Sequence, residues 1–212
     1  MAQDYAASIS GQVIRITKLN SDGTLAVGAS GSYVTKSFIS VSLTPEYEAG
    51  AEFIQKAADG SVCVTFKQPD TLKRVTLSVA ICNPDADFTA MVTGGSLLGN
   101  SDGWAAPSVG VDGNPNGVAL EVWSKAIVNG KPAATNPYWH WIFPYTKLHI
   151  NGARMIGNDI LATAFDGWGI GNSGFGGGPA TPAWPYMADR AYAYARTDTI
   201  PAAIGYQAVT QN

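Results

Sequence analysis

Charged residues are scarce in this chain of 212 residues: they make up 14% of it, with 13 Lys and Arg against 16 Asp and Glu. Tight binding of nucleic acid needs clustered Lys and Arg, whose phosphate contacts release counterions. A net charge of -3 gives no such electrostatic footprint. If DNA meets this protein, we therefore expect it to pass without being held.

Long apolar runs are also missing, since none approaches the roughly 20 residues that are needed to cross a bilayer. The first ten residues, MAQDYAASIS, have neither the basic start nor the apolar core of a secretory signal. We therefore expect a protein that is made and kept in the cytoplasm of the cell that produces it.

Cysteine is rare. Cys63 and Cys82 are the two thiols, both lie in strand-like segments, and no CxxC spacing occurs. A disulfide would form between them only if their strands were neighbours in an oxidising compartment. In a reducing compartment two free thiols are the favoured interpretation.

Apolar residues, glycine and proline are plentiful: 46% of the chain is apolar, with 24 Gly and 12 Pro. This composition supports a packed core and favours many short strands joined by turns over long helices. The length fits one domain with extensions or two small domains. We expect a mostly β protein.

One stretch, RVTLSVAICNPDADFTAMVTGG from Arg74 to Gly95, joins a strand pattern directly to a helix pattern. Apolar side chains alternate along its first half, which predicts a strand with one buried face. Asn83 is the predicted N-cap, with Pro84 at the first helical position and Gly94 ending the helix. We therefore predict a short helix at about 84–93, lying against a sheet.

Period-two alternation predicts further strands, in segments near residues 11–19, 39–44, 62–66, 118–123, 138–150, 154–165 and 191–195. Pro144 interrupts the aromatic run NPYWHWIFPYTKLHI and predicts a strand edge or a break there. The predicted fold is a β-sandwich or a partly closed barrel of about seven or eight strands, with one short flanking helix.

The predicted organisation is a single folded domain between two extensions. Residues 1–36 form an N-terminal arm with a weak strand, residues 37–200 the β-sandwich domain, and residues 201–212 a C-terminal tail. Residues 44–60 form a long hairpin excursion, whose outer part has too little apolar surface to order itself alone. We expect this excursion to be ordered by a partner; an ordinary solvated hairpin loop is the alternative.

Two sequence motifs suggest ligand sites and fail on inspection. Gly169, Gly171 and Gly174 spell G-x-G-x-x-G, but no helix pattern follows to receive a pyrophosphate, so an irregular loop is favoured. The segment Asp112–Gly117 matches the first half of a calcium loop, with Asn114 and Asn116 at ligand positions. Because the twelfth position is Trp123 in place of a bidentate Glu, a turn is favoured over a weak metal site.

No catalytic residue, cofactor site or metal site is predicted. His140 and His149 are the only imidazoles and lack a third zinc ligand at any local spacing. His140, among aromatic residues, is expected to be a core or interface histidine. Two other functions stay open: a hydrolase with a hidden triad, and a carbohydrate-binding β-sandwich that stacks sugars on Trp168, Trp184 and Tyr186.

The succession of segments resembles a known family. These segments are EYEAGAEFIQKAADGSVCVTF, LKRVTLSVAICNPDADFTAMVTGGSLL, GVALEVWS, YWHWIFPYTKLHINGARMIGNDI and GWGIGNSGFGGGP. From about Ser37 to Pro185 the chain resembles the major tail-tube proteins of long-tailed phages that infect actinobacteria. The resemblance implies a β-sandwich with a flanking helix, hexameric rings that stack into a tube, and DNA that travels through the lumen.

The same resemblance implies a location in the virion tail and a set of partners. The main partner is the chain itself, and the others are a tape-measure protein, a tail terminator and a distal tail protein. A tail-terminator or baseplate ring protein is a nearby alternative within the phage interpretation. The acidic and small polar residues of the chain fit a lumen that repels phosphate.

Self-assembly also follows from weakly charged strand edges, whose free backbone groups a neighbouring copy can pair. The predicted contacts between rings lie on the excursion, at Glu46, Tyr47, Glu48, Glu52 and Phe53. Phe88 and Met91 on the helix are predicted contacts between subunits, the alternative being that the helix only covers the sheet.

Overall fold

A computed structural model of the chain describes residues 5–26, 28, 30–99, 102–152, 162–176 and 187–201. These residues form thirteen strands, one α-helix and one 3-10 turn. The strands are β1 (Ala7–Lys18), β2 (Ser32–Thr35), β3 (Phe38–Glu48), β4 (Glu52–Lys56), β5 (Val62–Lys67), β6 (Thr71–Ile81), β7 (Ser96–Leu98), β8 (Gly103–Ala105), β9 (Val118–Val128), β10 (Lys131–Pro132), β11 (Tyr138–Ile150), β12 (Thr163–Ile170) and β13 (Ala193–Thr197). Helix α1 is Ala86–Thr93, and the 3-10 turn is Ser173–Phe175.

One antiparallel sheet dominates the fold. Its strand order is β2-β1-β9-β11-β12-β6-β3, with β10 paired to β9 and β13 paired to β11. Alternate residues of β1, β6, β9, β11 and β12 meet in one apolar cluster together with α1. Because β1 and β6 lie near opposite edges of the sheet and still share this core, the sheet must curl around it. The predicted mostly β fold with one short helix is confirmed.

The N-terminal strand is more central than the sequence indicated. The weak strand predicted at 11–19 is the C-terminal part of β1, which lies between β2 and β9. Ile14 and Ile16 are fully buried in the core. The residues assigned to an arm thus supply part of the main sheet.

Proline does not break the aromatic strand. β11 runs continuously through Pro144, and its pairing with β9 shifts register between Phe143 and Thr146. A proline has no N–H for a ladder, and such an irregularity removes the need for one. The predicted strand 154–165 falls mostly outside the described residues. Its last three residues belong to β12, which begins at Thr163.

Helix α1 packs against the curled sheet and lies within the predicted 84–93. The N-cap is Asp85, however, and the prediction of Asn83 was wrong: Asp85 Oδ1 accepts a hydrogen bond of 2.9 Å from the Phe88 N–H. Gly94 ends the helix as predicted, with a φ of 78° and its N–H donated to Ala90. Within the described residues, no helix is long and apolar enough to cross a membrane.

Replacing Asp85 with Ala should destabilise the fold by about 1–2 kcal/mol, because it removes the cap. The change also removes the acceptor of the Tyr33 hydroxyl, which lies 2.8 Å from Asp85 Oδ2. Urea unfolding would measure the loss. Asp102→Ala, at an exposed position, is the control; equal stability of the two variants would contradict the capping role.

Candidate functional site

A two-stranded hairpin extends from one end of the main sheet. β3 and β6 pair up to Glu48 opposite Thr71, and the chain between them forms β4 and β5 as a separate two-stranded sheet. At the base of this hairpin, the Gln68 N–H donates to the Ala51 carbonyl over 2.9 Å. The hairpin is therefore the distal end of a β3–β6 ribbon.

Every residue of β4 and β5 is exposed, including large apolar ones. Phe53, Val62, Val64 and Phe66 are each 56–57% exposed, and Phe53 stacks on Phe66 with ring centroids 6.4 Å apart. Val64 and Phe66 lie on one face of β5, and Val62 lies beyond a register shift at Cys63. Sequence alternation predicted this strand correctly but could not reveal that its apolar face lies bare.

The acidic residues of the predicted ring contact have unequal positions. Glu46 lies opposite Arg74 in the ladder and accepts a 2.5 Å hydrogen bond from its Nε, so its charge has a partner in its own chain. The Arg74 guanidinium holds the pKa of Glu46 below its ordinary value. Tyr47, Glu48 and Glu52 are exposed, as a contact surface requires.

The two predicted contacts on the helix lie elsewhere. Phe88 is fully buried and Met91 is 9% exposed, both in the main core. Phe88 packs on Phe165 with ring centroids 5.3 Å apart. The i, i+3 spacing of these residues thus serves packing within one chain, and the structure assigns neither side chain to a surface.

One face of the main sheet carries mostly small side chains, with Asp166, Trp168, Lys147 and His149 among them. Four neighbouring strands, β3, β6, β12 and β11, present it in register. Its cross-strand rows are Ser42, Ser78, Asp166 and His149; Thr44, Thr76, Trp168 and Lys147; and Ser40, Ala80 and Ala164. We call these residues the small-polar face. None of its three rows is wholly apolar, and every one of its residues is at least partly exposed.

The opposite half of the sheet encloses a charged cluster that the sequence did not predict. Arg15 on β1 lies directly opposite Glu121 on β9, and two hydrogen bonds of 2.5 and 2.9 Å join their side chains. His140 Nε2 lies 3.0 Å from Glu121 Oε1. The His140 ring stacks on Trp123 at 4.1 Å, and the Arg15 guanidinium lies 5.3 Å from the Trp123 ring.

All four members of this cluster are buried, so it has no access for a substrate. The cluster instead helps to fix the register of β1 against β9. A slip of β1 by one residue would move Arg15 to the apolar core face and separate it from Glu121, which makes the pair a strong determinant of register.

Burial raises the pKa of Glu121, but the charge of Arg15 and the hydrogen bond with His140 outweigh it and hold this pKa at about 2, against an ordinary 4.5.

Acid should therefore weaken the fold in a defined window. Because the folded pKa of Glu121 lies below the unfolded one, its ionisation stabilises the fold fully above pH 4.5, and this contribution disappears as the pH falls to about 2. The contribution is about 3 kcal/mol. Unfolding of wild type and Glu121→Gln should be compared between pH 2 and 6. The stability gap should close in acid; a constant gap would contradict this assignment.

The candidate calcium loop has a structural role. The Asn114 amide donates to the carbonyls of Met91 and Val92, at 3.1 and 3.0 Å, and so satisfies the end of α1. Lys147 Nζ lies 2.6 Å from Asp112 Oδ2 and neutralises the one carboxylate of the motif. In the described part of the chain, no three His, Cys, Asp or Glu side chains are grouped as a metal site would require.

The remaining candidate residues do not converge on a site. His140 is the third residue of β11 and His149 the twelfth, about 30 Å apart along a strand, and His149 is exposed. Gly169 lies in β12 and Gly174 in the 3-10 turn, and through Gly176 no α-helix follows. Cys63 is exposed, where a core or half-buried thiol was expected, and Cys82 is half-buried; both are free thiols.

The aromatic residues form two small groups. Trp168 packs against Tyr145 with ring centroids 5.6 Å apart, and Trp184 and Tyr186 lie outside the described residues. Trp139 and Trp141 flank an exposed Tyr194, with ring centroids 5.7 and 4.5 Å from it. The sequence pattern marks the aromatic run of β11 but gives no sign that Tyr194 packs against it.

A scan against protein-family models finds no match for this chain, and a search of curated proteins finds none either.

Proposed function

We propose that this chain is a structural virion protein that assembles as stacked hexameric rings into the tail tube of a long-tailed phage, through which DNA is delivered. The observation that carries the proposal is the β4–β5 hairpin, whose eleven strand residues are all exposed. An isolated two-stranded hairpin is marginal in water. An exposed apolar surface of this kind is typical of a protein contact.

The small-polar face supports the second half of the proposal. A bore that carries DNA needs a surface that neither binds phosphate nor attracts bases. Seven of the eleven residues of this face are serine, threonine or alanine, which offer little of either, and Asp166 adds a negative charge. Lys147 is paired with Asp112, so its positive charge is compensated. We assign this face to the lumen, where phosphates would slide past it.

The resemblance to tail-tube proteins supplies the remaining partners of the proposal. They are a tape-measure protein inside the tube, a tail terminator at one end and a distal tail protein at the other. DNA would pass without specific binding, and the mature location would be the virion tail.

Electron microscopy of the concentrated protein tests the proposal. Long tubes with a regular axial repeat are the expected result. Single closed rings that do not stack would favour the tail-terminator or baseplate alternative. Dispersed single chains at every concentration, with or without the other tail components, would contradict both.

A carbohydrate-binding module is the second candidate, and the Trp139, Tyr194 and Trp141 group favours it. Sugars stack on exposed aromatic rings, and Tyr194 offers one beside two indoles. Glycan-array binding that is lost in Tyr194→Ala would support this function. Tube assembly without any glycan affinity would exclude it.

A further inference from the structure

A wedge-shaped slot opens between two strand edges at the end of the sheet away from the hairpin. Among the described strands, residues 14–17 of β1 pair with β2 and β9, whereas its residues 7–13 pair with β9 alone. β3 pairs with β6 along one edge, and no described strand pairs with its other edge. The two free edges approach each other near Gly11 and Phe38, and they enclose a cavity of about 330 Å³.

The slot has an apolar floor and an uncharged rim. Val122, Trp141 and Phe143 lie at the floor. Ile9 and Ile39, which are 53% and 58% exposed, lie at the mouth together with serine hydroxyls. Free backbone edges beside an apolar floor fit one kind of ligand: an extended chain that adds as a strand and turns alternate apolar side chains inward.

We propose that this slot receives strand β5 of a second copy of the chain. The inference rests on the proposed self-assembly and names the surface on which the hairpin docks. β5 has the required features: an outer edge that no described strand pairs, apolar residues at Val64 and Phe66 on one face, and no charge on that face. β4 fits less well, because Gln55 replaces an apolar residue in its alternate series with Phe53.

The occupant must come from another molecule. The slot lies along Phe38–Leu43, at the start of β3, and the hairpin projects beyond the far end of that strand. About ten residues of extended chain, roughly 30 Å, separate them. A hairpin and a slot at opposite ends of one ribbon give a head-to-tail contact, which propagates from copy to copy.

Thr65 allows a direct test. It lies on β5 between Val64 and Phe66, clear of the register shift at Cys63, and therefore points outward when those residues face the floor. Ser40 and Ser42 lie on the outward face of β3, since Val41 and Leu43 pack against the core. Side chains on neighbouring strands are about 4.5–5.5 Å apart at Cβ, close to what a disulfide needs. In a background with Cys63→Ser and Cys82→Ser, Thr65→Cys should therefore crosslink to Ser40→Cys or Ser42→Cys on mild oxidation.

Because each copy would carry both thiols, the expected product is a ladder of dimers, trimers and longer covalent chains on a non-reducing gel. Two controls keep the result specific: the same variants without Thr65→Cys, and Ser108→Cys at an exposed loop position in place of the slot cysteine. Neither should give a ladder. A ladder of equal strength from Ser108→Cys would overturn the proposal.

A second variant tests the slot without new thiols. Ile39→Asp places a charge at its mouth and should lower assembly at least tenfold, whereas Val109→Asp, at another exposed apolar position, should not. Two results would show that the hairpin docks elsewhere: tubes that form normally with Ile39→Asp, or tubes that give no ladder through position 40 or 42. Either result would leave the proposed tube function intact. Absence of any assembly in wild type would remove both proposals.

Discussion

Replacing Glu52–Lys67 with an Asn-Gly turn is expected to leave a folded monomer that no longer forms tubes. The replaced hairpin makes no contribution to the main core, since all of its strand residues are exposed. The ends to be joined already lie side by side, with the Gln68 N–H bonded to the Ala51 carbonyl. Asn-Gly is a favoured two-residue connection between antiparallel strands. A deletion of the whole predicted excursion, residues 44–60, would instead remove part of β3.

Single substitutions separate the apolar contact from the mere presence of the hairpin. Val64→Asp and Thr65→Asp put the same charge on adjacent exposed positions of β5, on opposite faces. If the valine face docks, Val64→Asp should abolish tubes and Thr65→Asp should retain them. Circular dichroism would check that both remain folded. Tube formation by the variant that lacks the hairpin, or by Val64→Asp, would contradict the assembly account.

Glu121→Gln should lower the folding stability more than Asp85→Ala does. The expected loss is about 3–5 kcal/mol at neutral pH, because the Arg15 charge stays buried without its counter-charge. Both side chains are almost fully buried, so solvent offers little relief. Urea unfolding with circular dichroism would measure the loss.

A double-mutant cycle with Arg15→Met would show that the loss comes from the pair. Removing Arg15 alone leaves the Glu121 carboxylate buried without the counter-charge of Arg15. Removing both charges leaves neither charge buried without its counter-charge. The double variant should therefore be more stable than the sum of the two single losses implies. Strictly additive losses would contradict direct coupling between the two side chains.

The sequence predicted the strands well where alternation was uniform, and helix α1 where strand and cap signals met. It misplaced the N-cap because Asn83, Asp85 and Pro84 offer competing starts, and only the geometry shows that Asp85 reaches the Phe88 N–H. It also predicted a break at Pro144, which a register shift avoids. Such errors concern backbone geometry that residue types alone leave open.

The buried charges were missed for a different reason. On an alternating strand, Arg15 and Glu121 occupy the positions that normally face water, and sequence alone does not show that the second face of this sheet is covered. A usable signal existed: an arginine and a glutamate sit on two apolar strands, and Trp123 follows Glu121 on the same face. Charged residues within strongly apolar strands point to a paired, buried site.

The β4–β5 hairpin shows a second limit of prediction from sequence. Alternation along Val62, Val64 and Phe66 indicates that one face must be buried, but not whether its partner belongs to the same chain. Phe88 and Met91 had the same ambiguity, and the structure resolved it the other way by packing both into the core. Sequence pattern identifies surfaces that avoid water; topology decides which of them remain for another molecule.

Sedimentation velocity over a wide range of protein concentration tests most directly whether the exposed hairpin makes this chain assemble. We expect wild type to shift from a slow species to large, fast-sedimenting assemblies as the concentration rises, while Val64→Asp stays a single slow species throughout. A wild-type protein that sediments as a single chain at every concentration would contradict the account.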